Sequence, residues 1–216
     1  MNNYNYILFD LDGTLLDTTE GISEAVRYTI KALKLPEISD NDLIRFIGPP
    51  IQDSFVREYG FTPADAQKAS NIFRKYYSSK SLMKAKLYDG ILDVLQKLKE
   101  KKMKIAVATY KRDDYAKRIV DYFGISVYCD FVQGADAENH FNKVDIVNIC
   151  IEALGNPSYN EVVLIGDSSY DAIAAENIGI HFIGVTYGFG FNSISDVNEF
   201  NNIGCADSIH QIYMFL

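Results

Sequence analysis

Tyr6-Ile7-Leu8-Phe9-Asp10-Leu11-Asp12-Gly13-Thr14-Leu15-Leu16-Asp17 opens with a short apolar run that stops at two carboxylates one residue apart. Ile7, Leu8 and Phe9 are too few for a helix and are bounded by Asp and Gly, which is how a strand buried on both faces reads. Asp10 and Asp12 then stand at the C-terminal tip of that strand, the edge at which open parallel sheets bind ligands. Two carboxylates there repel one another unless a cation lies between them or one holds a proton. Asp12-Gly13 is also an ordinary turn signal, a reading in which both acids are simply solvated.

The same grammar returns at Val163-Leu164-Ile165-Gly166-Asp167-Ser168-Ser169-Tyr170-Asp171, an apolar strand with acids at its tip. If the two strands are neighbours in a parallel sheet, Asp10, Asp12, Asp167 and Asp171 share one crevice and require a cation. Oxygen donors without His or Cys point to a hard divalent ion, Mg²⁺ being the natural candidate. Asp171 also suits the first turn of a helix, where an acid is favourable by roughly 0.3 to 1 kcal/mol.

Between these strands the texture changes twice. Residues 17–83 carry helical periods at 21–35, 40–46, 50–59 and 63–80, with Pro36 stopping the first and Pro63 suited to a first helical turn. From about residue 87, helices and strands alternate: helix 91–102, strand 104–109, helix 112–123, a short strand near 131–132, helix 143–154, strand 162–165, helix 170–178, strand 181–185 and a closing helix from Ser208. That alternation predicts an α/β fold, a doubly wound, Rossmann-like parallel sheet with right-handed crossovers. The expected division is a core of 1–16 plus 84–216 and an inserted all-helical cap of 17–83, placed over the ligand-binding edge of the sheet.

The 216 residues suffice for one sizeable core with a small insertion, and 48% hydrophobic with 23% charged residues is the balance of a soluble globular protein. No apolar run reaches the roughly 20 residues of a membrane span and no signal-peptide pattern opens the chain, so a cytoplasmic location is expected. A net charge of −8 disfavours nucleic acid and anionic membranes as partners. Cys129, Cys150 and Cys205 show no ligand spacing and read as small buried side chains.

Asp10-Leu11-Asp12-Gly13-Thr14 resembles the first motif of the haloacid dehalogenase superfamily, whose phosphatase branch reads DxDGT. The resemblance implies that Asp10 is a nucleophile that becomes phosphorylated and Asp12 the general acid/base. Gly166-Asp167 through Asp171 is similar to the fourth motif, GDxxxD, which makes Asp10, Asp167 and the backbone carbonyl of Asp12 metal ligands and Asp171 a ligand directly or through water. Ala106-Val107-Ala108-Thr109-Tyr110-Lys111 looks like the second motif, with Thr109 binding phosphate. Tyr110 stands where a smaller residue is familiar, and its ring would either narrow the pocket or stack on a leaving group. Asn142-Lys143 resembles the third motif without its fuller GKPxP wording; Lys143 would hold nucleophile and phosphate, with Lys111 as the competing choice. Glu138-Asn139-His140 reads as an exposed loop.

Gly184-Val185-Thr186-Tyr187-Gly188-Phe189-Gly190 resembles the final loop of phosphoglycolate phosphatase-like members and reads as a structural turn. Phe46-Ile47-Gly48-Pro49-Pro50-Ile51-Gln52-Asp53 resembles the specificity loop of the subfamily I helical cap, which nominates Arg45, Gly48 and Gln52 for substrate choice, with Arg57 nearby. The implied activity is Mg²⁺-dependent hydrolysis of a small phosphate monoester through an aspartyl-phosphate, phosphoglycolate phosphatase-like, by a monomer or homodimer. A 5′-nucleotidase or pyrophosphatase is the alternative. Phosphosugar mutases resemble the chain too, but their His twelve residues after the nucleophile and Arg three after the cap glycine are here Ile22 and Ile51. Dehalogenases usually lack the second Asp. A catalytically silent binding protein on this scaffold has no need of the four acids.

Overall fold

The computed structural model describes residues 4–137 and 140–216; Glu138 and Asn139 of the expected exposed loop lie outside the described residues. Two compact units divide the chain. Asp17–Lys86 forms one, and the segments up to Leu16 and from Leu87 to Leu216 form the other.

Strands run in the order β1 (Tyr6–Phe9), β2 (Leu16–Asp17), β3 (Lys86–Leu87), β4 (Lys104–Arg112), β5 (Phe131–Ala135), β6 (Val162–Gly166), β7 (His181–Val185) and β8 (Gly204–Ala206). Six of them form one sheet in the order β5-β4-β1-β6-β7-β8, and β2 and β3 pair separately. Every ladder in the large sheet is parallel. Such ladders require crossovers, which helices α5 (Ile91–Glu100), α6 (Asp113–Tyr122), α7 (Lys143–Ala153) and α8 (Ser169–Ile178) supply. The strand order reverses at β1, between β4 and β6, which is the switch point where doubly wound sheets place their ligands. Ile7, Leu8, Phe9, Ile105, Ala106, Val107, Val163, Leu164 and Ile165 are wholly buried, so the centre of the sheet is covered on both faces.

The other unit holds α1 (Thr19–Ala32), α2 (Asp40–Leu43), α3 (Ile51–Tyr59) and α4 (Pro63–Tyr76). Ile22, Ala25, Val26 and Ile30 make the buried stripe of α1, which packs against α4, where Ala66, Ala69 and Phe73 are buried. Asp17 accepts the Thr19 N–H at 3.0 Å at the start of α1, and Thr62 caps α4 ahead of Pro63. Lys34 adopts φ +54°, so α1 ends before Pro36 is reached. The last turn of the expected 63–80 helix widens into a π-turn at Tyr77–Ser81, where Ser81 Oγ donates to the Gly21 carbonyl at 2.8 Å.

Three expectations need correction. β4 continues to Arg112, because its ladder with β5 resumes at Arg112–Ala135 after an irregularity that begins at Ala108; Thr109-Tyr110-Lys111 is therefore extended backbone, and α6 starts at Asp113. The closing helix is a 3₁₀ turn, Ile209–Met214, which puts Ile209 and Ile212 on one buried side as its three-residue repeat dictates. Among the cysteines only Cys150 is fully buried, Cys129 and Cys205 being half-buried, and all three are free thiols. β8 and a short helix α9 (Ile194–Val197) were not anticipated. No helix among the described residues is long and apolar enough to cross a membrane.

Leu164, packed in the centre of the sheet at 0% exposure, and Tyr122, 65% exposed on α6, should respond oppositely to truncation. Leu164→Ala is expected to lower unfolding free energy by about 2–5 kcal/mol and Tyr122→Ala to change it by less than about 0.5, measured by urea denaturation.

Candidate active site

Parallel pairing of β1 with β6 places Phe9 beside Ile165, and the Asp10 N–H donates to the Ile165 carbonyl at 2.9 Å. The chain thus leaves both strands side by side, with Asp10 at one tip and Gly166-Asp167 at the other. Carboxylate oxygens of Asp10, Asp167 and Asp171 lie within 4.8 Å of one another, and all three residues are buried.

Lys143, in the first turn of α7, reaches into this group: its Nζ is 2.5 Å from Asp10 Oδ1 and 2.7 Å from Asp171 Oδ1. A lysine at that end opposes the helix dipole, a modest penalty that two carboxylates outweigh. Asn142 caps α7 in a reciprocal box with Asp145. The Lys143 N–H donates to the Tyr110 hydroxyl at 2.9 Å, so the bulky residue of the second motif secures the start of this helix. The Tyr110 ring also stands edge-on to Tyr170, centroids 5.4 Å apart.

Asp171 combines the two uses weighed from the sequence. Its Oδ2 accepts from Ser168 Oγ at 2.6 Å and completes the capping box of α8, while Oδ1 faces Lys143. Asp167 Oδ2 accepts from the Phe189 N–H at 2.7 Å and the Gly190 N–H at 3.1 Å. The glycine loop read as a structural turn is therefore part of the site. A Cβ on Gly188 would fall 2.4 Å from Asp167 Oδ2, and one on Gly13, whose φ is +88°, would fall 2.2 Å from the same atom. Only a residue without a side chain fits at either place.

Asp12 points elsewhere. Its Oδ1 lies 3.0 Å from Lys111 Nζ, both side chains being buried, and its carboxylate is not among the three that cluster. Thr109, buried, accepts the Lys111 N–H at 3.2 Å through its hydroxyl. His140, at the margin of the undescribed pair, is exposed and 3.2 Å from Asp136.

Burial pushes the Asp10 carboxyl well above the carboxylate range; Lys143 opposes this, and the like charges of Asp171 and Asp167 reinforce it. Asp167 is pushed up to about 7 by burial and by Asp171, against the two loop amides. Burial works against the charge on Lys143, but Asp10 and Asp171 more than offset it and hold the ammonium firmly charged. Four buried carboxylates thus meet two buried ammonium groups. The imbalance and the oxygen-only donors fit one hard divalent cation, which Asp10, Asp167 and Asp171 could hold.

Arg45, Gly48 and Gln52 lie in the helical unit. Arg45 is exposed and 3.7 Å from both Asp42 and Glu58; Arg57 also pairs with Glu58 and bonds the Arg45 carbonyl. Gly48 has φ +97° at the turn before α3. The Gln52 side-chain carbonyl is buried without a hydrogen-bond partner.

The family model for haloacid dehalogenase-like hydrolases matches residues 7–185. The chain belongs to that family. It is 32% identical to a 5′-nucleotidase of Pseudomonas aeruginosa, over 87% of this chain and 85% of that one. It is also 32% identical to the tyrosine-protein kinase PtkA of Mycobacterium tuberculosis, over 95% of this chain and 70% of that one. A crystal structure titled as a predicted phosphatase from Clostridium acetobutylicum superposes with a TM-score of 0.91 at 33% identity, covering 98% of this chain and 97% of that one. Other family relatives, 29 and 30% identical, are named pyrophosphatase PpaX in Halalkalibacterium halodurans and phosphoglycolate phosphatase in Aquifex aeolicus.

Asp10 and Asp167 bind protons more readily folded than unfolded, so both favour the metal-free fold at low pH; the Asp167 contribution is full below about pH 4 and is lost as pH rises through about 7. The melting temperature of the metal-free protein is expected to fall across that window, less so in Asp167→Asn. Mg²⁺ should raise it more at about pH 7.5 than at about pH 5.5. Scanning calorimetry showing equal Mg²⁺ shifts at both pH values would contradict the cation assignment.

Proposed function

We propose that this chain is a Mg²⁺-dependent phosphate monoester hydrolase that acts on a small phosphorylated metabolite through a phosphorylated Asp10. The observation that carries the reading is Lys143 Nζ seated 2.5 Å from Asp10 within a buried carboxylate cluster of a family of hydrolases. A carboxylate attacks a phosphate dianion only where positive charge offsets their repulsion. Asp10, Asp167, the Asp12 carbonyl and Asp171 would hold Mg²⁺, which when bound supplies part of that charge.

In the first step an Asp10 oxygen bonds to phosphorus and the ester P–O bond breaks, while Asp12 gives its proton to the departing alcohol. In the second, Asp12 takes a proton from water, the water oxygen bonds to phosphorus, and the bond to Asp10 breaks to release inorganic phosphate. Lys143 keeps Asp10 oriented throughout, and Thr109 presents its hydroxyl to the phosphoryl oxygens. Tyr110, on β4 with its hydroxyl on the Lys143 N–H, would join Thr109 and Lys143 around the bound phosphate. The protein works in the cytoplasm as a monomer or homodimer.

The Asp17–Lys86 unit selects the alcohol. Gln52 is the residue best suited to it, since an unpaired buried acceptor costs about 1–3 kcal/mol that a substrate donor would recover. Arg45, occupied by neighbouring acids, is less available, and Gly48 shapes the turn. Phosphoglycolate is the first ester to try, a choice supported by a relative named phosphoglycolate phosphatase; nucleoside 5′-monophosphates and pyrophosphate, which the names of other relatives suggest equally, are the alternatives.

Phosphate release from a panel of these compounds should require Mg²⁺, and Asp10→Asn should lower kcat by roughly three orders of magnitude or more. Retained turnover in that variant excludes Asp10 as nucleophile. Gln52→Leu is expected to raise KM about tenfold on the preferred ester with kcat changed by less than about threefold; a fall confined to kcat would remove Gln52 from substrate choice.

A further inference from the structure

Two buried lysines serve the site, each ion-paired to different carboxylates. Lys143 faces Asp10 and Asp171, whereas Lys111 faces Asp12, at 3.0 Å with side chains 5% and 7% exposed. Asp12 follows Asp10 by two residues, yet its carboxylate stands apart from the Asp10, Asp167 and Asp171 oxygens. A fourth carboxylate so near a bound divalent ion would be drawn to it unless another cation held it back.

The backbone explains how Lys111 comes to do this. With β4 extended to Arg112, Thr109 and Lys111 are two residues apart on one strand, and both are buried. The Thr109 hydroxyl ties down the Lys111 N–H at 3.2 Å, which fixes the departure of the side chain.

We infer that Lys111 is a positioning residue for Asp12: its ammonium holds the Asp12 carboxylate on the β4 side of the crevice, out of the metal cluster and available for proton exchange with alcohol and water. This rests on the hydrolase reading above. Lys111 is ion-paired to Asp12, whereas Asp10 and Asp171 are paired to Lys143, so loss of Lys111 should damage turnover without damaging metal binding. Removing one positive charge from a buried acidic site also strengthens its hold on a divalent cation.

The test is a cycle of wild type, Lys111→Met, Asp12→Asn and the double variant, with p-nitrophenyl phosphate turnover at saturating Mg²⁺ and Mg²⁺ affinity by isothermal calorimetry. Lys111→Met is expected to lower kcat at least tenfold while Mg²⁺ binds as tightly as in wild type or tighter. In the Asp12→Asn background the same change should cost less than twofold, because the two residues act as one unit. The double variant leaves no buried charge unpaired, so that arm stands even if the single lysine variant fails to fold.

The inference is overturned if Lys111→Met keeps kcat within twofold of wild type, if Mg²⁺ affinity falls in step with kcat, or if the two losses multiply in the double variant. Wild-type protein without Mg²⁺-dependent turnover of any ester would overturn the hydrolase reading, and this inference with it. Full wild-type turnover beside an unaffected Lys111→Met would overturn the role of Lys111 alone.

Discussion

Like charges brought together out of water are the constraint on which this structure turns. Parallel pairing of β1 with β6 delivers Asp10 and Asp167 to one spot, and the first turn of α8 adds Asp171. Such a cluster is tolerable only if the protein surrounds it with compensating groups. Lys143 supplies a fixed charge, and the Phe189 and Gly190 amides supply donors to Asp167. The need for close approach explains why Gly13 and Gly188 carry no side chain. The residual acidity is what makes a divalent cation fit.

The positions of these compensating groups follow from the topology. A doubly wound sheet sends its crossover helices back from the same edge, so the loops after β1, β4, β6 and β7 and the start of α7 converge there. Tyr110 contributes by accepting the first N–H of α7, a bond that ties the second-motif strand to the helix that bears Lys143. Thr109, Lys111 and Asp12 form a second, adjoining arrangement, in which the Lys111 ammonium faces the Asp12 carboxylate.

Much of this was legible in the sequence. The apolar runs before Asp10 and Asp167 announced buried parallel strands, and the alternation after residue 87 announced the crossovers. What escaped was information carried by long-range geometry. The extension of β4 depends on its ladder with β5, not on local propensity, so Lys111 was read as a rival to Lys143 when each has a carboxylate of its own. The glycine loop looked like a turn because its ligand is Asp167, more than twenty residues earlier. Three-residue β8 and the 3₁₀ turn at the C-terminus are too short for periodicity to register. Arg45 drew notice as a cation, but Asp42 and Glu58 already engage it, which a linear reading does not reveal.

The central claim is that the tips of β1 and β6 share one metal ion. Anomalous diffraction from crystals of the protein soaked with Mn²⁺ in place of Mg²⁺ tests it directly. One strong peak bonded to carboxylate oxygens of both Asp10 and Asp167 is the predicted result; a crevice free of anomalous density at saturating Mn²⁺, or a peak bound to only one of the two strands, would contradict it.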